Sequence, residues 1–444
     1  MRKMVRNCSK ILAGVLLTML LVACGSKKAE TTATSSTNPA VFYSHSVAIS
    51  SVRFYSWGAN NYGQLGNGVT TARSNPAKVQ ILANGTAIVI NGVSAGGTHS
   101  LAFGGVDDPV YACGNNGFGQ LGNNSTTAST IPVKVRTTVK ENGTVTHPSL
   151  TGITAVAAGG YHSLALDNSN GGTVWAWGNN RLGQLGLGEV TTVQRNIAVQ
   201  VPSLVNANIT RIAAGGGHNL ALSSSGTIWS WGFNKSGQLG QGRESEHKIP
   251  TPGMVLNTDG TGNLTDVIHI AAGGSHSLFV TSDGNVWACG LNNFGQLGDG
   301  TFKKKYSVVP VLTDKVTKTP LTGAIAVAAG LDHSLAIIDD GTGLSKGTVW
   351  AWGDNTFGQL GNQKNFNTDT PVTSPVKVKK EDGTALENVA KIVAIGNHSL
   401  AVDSSGQLWA WGDNTYGQLG NGKTTNSKYA IKVKKLDLYM PEHL

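Results

Sequence analysis

Apolar and polar residues alternate along short stretches that end in glycine, and this pattern predicts β-strands. In the stretch TVWAWG, residues 173–178, Trp175 and Trp177 fall on one face of an extended strand and Val174 and Ala176 on the other, because side chains alternate along a strand. One face is therefore bulky and the other is small. We expect the bulky face of such a sheet to pack against the small face of its neighbour.

This strand is followed by a glycine-rich stretch that occurs seven times. The copies read GANNYGQLGNG, GNNGFGQLGNN, GNNRLGQLGLG, GFNKSGQLGQG, GLNNFGQLGDG, GDNTFGQLGNQ and GDNTYGQLGNG, and they begin at Gly58, Gly114, Gly178, Gly232, Gly290, Gly353 and Gly412. Successive copies begin 54 to 64 residues apart. Seven copies at such intervals predict a repeat architecture.

Each repeat contains four strand-like segments. In the fourth copy an inner strand, ITRIAAG at 209–215, precedes the strands HNLAL and TIWSWG, and the second copy shows an outer strand, IPVKVR at 131–136. Four-stranded sheets that repeat radially form a β-propeller. We therefore predict an all-β fold, a seven-bladed β-propeller of four-stranded antiparallel blades.

The first copy lacks a clear inner strand and has only PAVFYSH at residues 39–45. An open strand edge inside a ring is a feature that proteins avoid. We expect either this N-terminal segment or residues 436–440 to complete the first blade.

A histidine opens the second strand of every copy. A structural zinc site needs ligands that converge to within about 2 Å of the metal, whereas one histidine per blade spreads these side chains around a ring. We therefore predict no metal site, and core histidines that bond neighbouring backbone. They are His45, His99, His162, His218, His276, His333 and His398.

The repeated loop also has a structural interpretation. A phosphate-binding loop is a single site at a helix N-terminus, usually with a lysine, whereas this loop recurs between strands and lacks that lysine. Gly183 and Gly186 are expected to supply backbone angles closed to other residues, and an asparagine in each loop is expected to bond the turn backbone. No cofactor is predicted. The asparagines are Asn60, Asn116, Asn180, Asn234, Asn292, Asn355 and Asn414.

The N-terminus predicts export. Four basic residues within the first ten precede an apolar run at 11–23, which is shorter than the roughly 20 residues that span a bilayer and is typical of a signal peptide. Its end, LVAC, resembles the bacterial lipobox, so residues 1–23 are predicted to be a lipoprotein signal peptide and Cys24 the lipidated first residue. The alternative is an ordinary cleaved signal with a chance cysteine.

The predicted lipoprotein signal peptide implies the domain boundaries and the cellular location of the protein. Residues 24–40 comprise the lipidated cysteine and a polar, flexible tether, and residues 41–444 form the propeller. We expect an extracytoplasmic protein, anchored to the bacterial cell membrane through lipid on Cys24.

The charge of the chain bears on its partners, and the positions of its cysteines bear on their role. The net charge is +9, of which the signal peptide carries four, and the only dense basic run is KKK at 303–305. We therefore predict no nucleic-acid partner. Cys113 and Cys289 occupy the position equivalent to Trp177, which indicates buried small hydrophobes rather than a disulfide or a reactive thiol.

The order H-S-L-A-L, then W-x-W-G-x-N-x-x-G-Q-L-G, resembles the regulator of chromosome condensation repeat over residues 39 to about 435. The resemblance implies a seven-bladed propeller, here in an exported bacterial lipoprotein member. Members of that family include exchange factors for a small GTPase, a plant ultraviolet photoreceptor and exported bacterial inhibitors of β-lactamases, so the resemblance transfers the fold and not the function. An exchange-factor role fits poorly with a protein tethered outside the cytoplasmic membrane.

No serine, histidine and carboxylate set has a spacing typical of catalysis, so the chain is predicted not to be an enzyme. The loops after GQLG differ between copies, and loops on a rigid scaffold commonly carry recognition. Candidate partner contacts in these loops are Arg243, Lys303, Lys304, Lys305 and Phe366.

We therefore predict a surface-anchored, non-catalytic binding or scaffold module that recognises a protein or a cell-envelope polymer through its rim loops. The alternative is a hydrolase or lyase that acts on an extracellular polymer from a pocket at one end of the propeller channel. Convergent acids or histidines on one rim would favour this alternative.

Overall fold

The computed structural model describes residues 44–437, apart from 51–52, 84–85, 143, 169–170, 192, 245–246, 340, 342–345 and 364–370. These residues form strands and turns, with one 3-10 helix at Pro202–Leu204. Within them no helix is long and apolar enough to cross a membrane. The predicted signal peptide, the tether, Cys24 and Phe366 lie outside the described residues.

We number the repeat units 1 to 7 in the order of their histidines, from His45 to His398. The strands of the first three units follow the repeated sequence. Unit 1 contains β1 (His45–Ser50), β2 (Arg53–Gly58) and β3 (Arg73–Val79), followed by the hairpin β4 (Leu82–Ala83) and β5 (Thr86–Ala87). Unit 2 contains β6 (Gly92–Ala95), β7 (His99–Phe103), β8 (Tyr111–Gly114) and β9 (Ser129–Lys134), followed by β10 (Val139–Glu141) and β11 (Thr144–Thr146). Unit 3 contains β12 (Ala155–Ala158), β13 (His162–Asp167), β14 (Thr173–Gly178) and β15 (Arg195–Gln200).

The remaining four units repeat this order. Unit 4 contains β16 (Ile209–Ala214), β17 (His218–Ser223), β18 (Ile228–Phe233) and β19 (Lys248–Met254); unit 5 contains β20 (Val267–Ala272), β21 (His276–Thr281), β22 (Val286–Gly290) and β23 (Lys305–Pro310), followed by β24 (Leu312–Asp314) and β25 (Thr319–Pro320). Unit 6 contains β26 (Ala324–Ala329), β27 (His333–Asp339), β28 (Gly347–Gly353) and β29 (Val372–Lys377); unit 7 contains β30 (Val389–Ile395), β31 (His398–Asp403), β32 (Gln407–Gly412) and β33 (Ser427–Asp437).

Units 2 to 5 are separate four-stranded antiparallel sheets in the order inner, histidine, aromatic and outer strand. The predicted strand order and antiparallel pairing are thereby confirmed. Units 6 and 7 have the same order and are joined into one sheet by a single pair, Gly347 with Val389.

Unit 1 is a three-stranded sheet among the described residues, and its histidine strand β1 has one partner, β2. Of the two segments expected to complete it, the C-terminal one starts at residue 436. The structure extends β33 to Asp437, which pairs with Gln407 of unit 7, so residues 436 and 437 belong to unit 7. Residues 39–43 and 438–440 lie outside the described part of the chain.

The two faces of each sheet pack as the alternating pattern predicts. Trp177 is buried among side chains of unit 2 that include Leu101 and Val135. On the opposite face, Val174 and Ala176 pack with Trp231 of unit 4. The large face of one unit thus covers the small face of the preceding unit. Five tryptophans are fully buried in these clusters between units: Trp57, Trp177, Trp231, Trp352 and Trp411.

Candidate functional site

The repeated GQLG loops connect adjacent units. The backbone carbonyl of Gln120, in the loop of unit 2, accepts a hydrogen bond from Ser163 Oγ at 2.8 Å and another from Trp177 Nε1 at 2.8 Å, both in unit 3. Units 1, 6 and 7 donate the same pair of bonds to the carbonyls of Gln418, Gln296 and Gln359, which belong to units 7, 5 and 6. The loop is therefore a clamp between sheets, and its main-chain acceptor is fully occupied.

The seven histidines form the second set of links between units. His99 Nε2 lies 2.8 Å from Ser163 Oγ. Because the serine donates its only hydroxyl proton to the Gln120 carbonyl, the histidine must be the donor, which fixes its proton on Nε2. Equivalent contacts of 2.6 to 3.0 Å join His45 to Ser100, His162 to Asn219, His218 to Ser277, His276 to Ser334, His333 to Ser399 and His398 to Ser46.

This arrangement corrects one prediction and explains why the serine–histidine contacts are not catalytic pairs. The histidine partner was expected to be backbone, whereas Nε2 bonds a side chain of the next unit, and in unit 4 Asn219 replaces the serine by accepting from His162 and donating to Gln184 O. A histidine that donates to serine cannot remove the serine proton. Burial lowers the pKa of His99 to about 3, with smaller contributions from His162 and His45, so the ring is neutral at pH 7.

The seven histidines do not converge on one point of the described structure. Each is fully buried in its own unit, and the structure places no group of three or more histidine, cysteine or acidic side chains around a common point in the residues it describes.

The loop asparagines close the glycine-rich turn from inside. Asn292 Oδ1 accepts from Leu297 N at 3.0 Å, and its Nδ2 donates to the carbonyls of Thr301 at 3.0 Å and Lys303 at 3.1 Å. Asn60, Asn116 and Asn414 make the same acceptor bond and the same two carbonyl bonds. Asn180, Asn234 and Asn355 make the acceptor bond to the equivalent leucine.

Two glycines of this loop show why other residues are excluded. Gly183 and Gly186 have φ angles of +76° and +71°. A Cβ on Gly183 would lie 2.8 Å from Pro250 Cα, and one on Gly186 would lie 2.9 Å from Trp231 Nε1. The loop therefore requires glycine both for its backbone angles and for contact with the next unit.

The two cysteines of the folded part occupy tryptophan positions. Cys113 and Cys289 are buried free thiols, and their sulfurs lie 3.5 and 3.6 Å from the carbonyls of Gln64 and Gln238, which are the acceptors that tryptophan uses in other units. Burial raises the pKa of Cys113 to about 12 and raises that of Cys289 as well.

Four of the five candidate contacts lie in units 4 and 5, where Gly242 N, next to Arg243, donates to Tyr306 O at 2.9 Å, next to Lys305. The carbonyls of Arg243 and Lys303 bond Asn234 and Asn292, which places both residues beside their GQLG loops with exposed side chains. Lys304 Nζ lies 2.8 Å from Tyr306 Oη, and Lys305 Nζ lies 3.4 Å from Asp299 Oδ2. Lys304 and Lys305 therefore have partners within their own unit, and Phe366 lies outside the described residues.

A set of aromatic side chains lies at the tips of the repeated loops, outside the candidate contacts that the variable loops indicated. The residue before GQLG is Tyr62, Phe118, Leu182, Ser236, Phe294, Phe357 or Tyr416. The Tyr62 side chain is 38% exposed, and those of Phe118, Leu182, Phe294, Phe357 and Tyr416 are partly exposed. The sequence does carry a signal for this set, because the residue before GQLG is aromatic in five of the seven copies although the turn does not require an aromatic side chain there.

Two of these side chains, Tyr62 and Phe118, together with the neighbouring Tyr161 and Arg181, form what we call the aromatic arc on the GQLG side of units 1 to 3. The rings of Phe118 and Tyr161 have centroids 5.1 Å apart at 59°, and Arg181 Cζ lies 5.3 Å from the Phe118 centroid. Burial, followed by the nearby Tyr62, raises the pKa of Tyr161 to about 12. Tyrosine and arginine packed on a rigid frame are typical of the centre of a protein interface.

Comparison with known proteins places the chain among propeller proteins. The family model described as the RCC1-like domain matches residues 53–441. The ultraviolet-B receptor UVR8 of Arabidopsis thaliana is 29% identical over 398 residues, which are 89% of this chain and 81% of that protein. Human HERC2, an E3 ubiquitin-protein ligase, is 29% identical over 377 residues, which are 84% of this chain and only 7% of that protein.

Two solved structures share the fold. Human WBSCR16 superposes with a TM-score of 0.68 at 22% identity, covering 86% of this chain and 94% of that one. Prp20p of Saccharomyces cerevisiae, described together with its binding to Gsp1p and histones, superposes with a TM-score of 0.66 at 23% identity, covering 89% and 88% of the two chains.

Proposed function

The chain belongs to the RCC1-like domain family, and we propose that it is a non-catalytic module that binds a folded protein through the aromatic arc of its propeller. The observation that carries this proposal is the packed set of Phe118, Tyr161 and Arg181 on the GQLG side. These side chains are held by loops that are themselves clamped between sheets, so a partner would pay little entropy for ordering them. The reported binding of Prp20p to Gsp1p and histones supports protein recognition by this fold.

We further propose that the seven units close into a seven-bladed ring. The support is the histidine contact, which runs from every unit to the next and returns from His398 to Ser46. A closed ring would hold the loops of units 1 to 3 at fixed distances. Such rigidity favours a protein partner over a flexible cell-envelope polymer.

The location of this module is proposed from the N-terminal sequence. Lipidation of Cys24 would place the propeller outside the bacterial cell membrane on the tether of residues 24–40. Mass spectrometry of the mature N-terminus, with Cys24→Ala as control, tests this point. An unmodified chain that starts at Met1 would contradict it.

The polymer-acting enzyme is the competing function. It requires an accessible acid or base, whereas the seven repeat histidines are buried and neutral, and each Nε2 proton is donated to the next unit. An exchange-factor activity has support only from likeness of fold, which does not transfer function.

The proposed partner surface can be tested by crosslinking and capture with the full chain. A photoreactive residue at position 118 should crosslink to one surface protein, and the double variant Phe118→Ala with Arg181→Ala should abolish capture of that protein. Phe302→Ala is the matched control, since Phe302 is 52% exposed in the loop after GQLG and is not in the arc. Equal loss of capture in both variants, or crosslinks only to purified cell-wall polymer, would contradict the proposal.

A further inference from the structure

The inner strands of units 2 to 7 lie side by side, and in the proposed ring they surround a central axis. Strands β6, β12, β16, β20, β26 and β30 are neighbours in chain order. Ala213, Ala271 and Ala328, although on these innermost strands, keep 6 to 8% exposure. These alanines are nearly buried, whereas Arg211 on the same set of strands is exposed, so solvent reaches that position.

Three basic residues occupy one level along the inner strands. In units 4 to 7 the inner strand has the same register shift after its first residue, and the residue that follows the shift is Arg211, His269, Ala326 or Lys391. Equivalent register puts these four positions at the same height along the axis. The small side chain of Ala326 leaves room between His269 and Lys391.

Arg211 and His269 lie at equivalent positions on the adjacent inner strands β16 and β20. Ala213, two residues after Arg211, packs in the cluster between units 4 and 5, and alternation along β16 directs Arg211 toward that side as well. The two side chains interact electrostatically: after burial, the larger cause, the charge of Arg211 helps to lower the pKa of His269 to about 4. The imidazole is therefore neutral at pH 7.

One hydrogen bond defines which nitrogen of the neutral His269 imidazole carries the proton. His269 Nδ1 accepts from the backbone N–H of Val327 in unit 6 at 3.5 Å, so its proton lies on Nε2. Nε2–H then makes no hydrogen bond to any described residue. Arg211 likewise donates no hydrogen bond to a described residue, although its guanidinium carries five N–H donors.

Arg211 and Lys391 lack a carboxylate counterion in the described part of the chain. Neither Arg211 nor Lys391 is in an ion pair there, and burial lowers the pKa of both. The closest acid in sequence to His269 is Asp266, which accepts from Thr265 Oγ1 at 2.8 Å. Arg211 nevertheless keeps an exposed surface, as expected for a side chain that lines a concave, wet site.

We propose that Arg211 and His269 form a binding site for one small oxyanion in the axial channel, with Lys391 contributing positive charge from across Ala326. A guanidinium beside an N–H donor matches two oxygens of a phosphate or a carboxylate. The site lies on strands rather than on the aromatic arc, and it requires no protein partner. Its failure would therefore leave the proposed function intact.

The test is calorimetric titration of the full chain with inorganic phosphate at low ionic strength and pH 7.5, and a second titration with acetate. We expect one anion per chain. Arg211→Gln and His269→Leu should each weaken binding roughly tenfold, since each removes a donor to a charged group. Arg211→Lys should restore part of the affinity, because it returns the charge without the planar fork.

The control is Lys432→Gln, which removes the same charge from the outer wall, where Lys432 Nζ lies 5.6 Å from the Trp409 ring. This variant should bind phosphate like the unmodified chain. Preference for phosphate or for acetate would identify which oxyanion class the site takes. Absence of binding, several anions per chain, or equal weakening by Lys432→Gln and Arg211→Gln would overturn the proposal.

Discussion

His398 Nε2 lies 2.8 Å from Ser46 Oγ, and these two residues are 352 positions apart in the chain. Ser46 also donates to Gln418 O at 2.9 Å, so the last unit holds the first one by the same pair of bonds that joins His99 and Gln120 to Ser163. The contact between the ends of the repeat array is therefore chemically equivalent to a contact inside it.

The first prediction concerns this closing contact. Ser46→Ala should lower the free energy of unfolding by about 1–3 kcal/mol, because it leaves the buried His398 N–H without an acceptor. Ser163→Ala, in the interior of the array, should cost the same amount. Urea unfolding followed by tryptophan fluorescence measures both, with the exposed Ser224→Ala as control. A negligible cost at Ser46 beside a large one at Ser163 would show that the ends are not joined in this way.

The second prediction separates backbone strain from packing in the GQLG loop. Gly186 and Gly260 both have positive φ, +71° and +70°, but a Cβ would approach Trp231 only at Gly186 and would meet nothing within 4 Å at Gly260. Gly260→Ala should cost roughly 1 kcal/mol for its backbone angle, and Gly186→Ala should cost several kcal/mol more. Thermal and urea unfolding provide the comparison. Equal costs would mean that contact with the next unit is unimportant.

The third prediction concerns the loop asparagine. Asn292→Asp keeps an oxygen for Leu297 N but replaces the amide donor by a carboxylate that faces the carbonyls of Thr301 and Lys303. We expect a loss of about 2–3 kcal/mol at pH 7, since two carbonyls lose their donor and an acceptor charge is placed against them. Its exposed neighbour offers the control, Asn293→Asp. If both variants unfold at the same urea concentration, the amide does not hold the loop.

The fourth prediction is acid instability. Burial lowers the pKa of six repeat histidines to about 3 and that of His162 to about 4, from 6.5. The unfolded chain then binds protons first as the pH falls, so this stability is complete above about pH 6.5 and is lost between 6.5 and 3. Each histidine contributes about 1.4 kcal/mol per pH unit in that window.

Circular dichroism and urea titration from pH 7 to pH 3 measure this loss. We expect cooperative unfolding well above pH 3 with uptake of several protons, because seven such groups act together. His218→Gln should reduce the proton uptake by one if the variant folds. An unchanged urea midpoint from pH 7 to pH 4 would contradict the neutral, buried state of these side chains.

The fifth prediction concerns thiol reactivity. Burial raises the pKa of Cys113 to about 12, so almost no thiolate is present at pH 8 and the sulfur is shielded from reagents. Iodoacetamide followed by peptide mapping should leave Cys113 and Cys289 unmodified in the native protein and should modify both after denaturation. Rapid native labelling at either position would show that the tryptophan-equivalent site opens.

Only part of the aromatic arc could be predicted from the sequence. Its loops could be located from the repeat, and the sequence pointed to the variable residues after GQLG. However, the packing of Phe118 on Tyr161, 43 positions later in the chain, brings together residues of two units. Lys305 shows the opposite case. The sequence suggested an exposed contact residue, but its ammonium group pairs with Asp299.

By itself the sequence determined the strand order, the antiparallel four-stranded sheet and the identity of the linking residues. These follow from local periodicity and from the recurrence of histidine, tryptophan, asparagine and glycine at matching offsets, which each unit repeats within about 60 residues. The tertiary structure alone decided their partners. The GQLG stretch looks like a turn within one unit, yet its glutamine carbonyl and its glycines serve the next unit. The histidines likewise bond a side chain that only the packing of neighbouring sheets brings within reach, because hydrogen bonds depend on distance in space and not on separation along the chain.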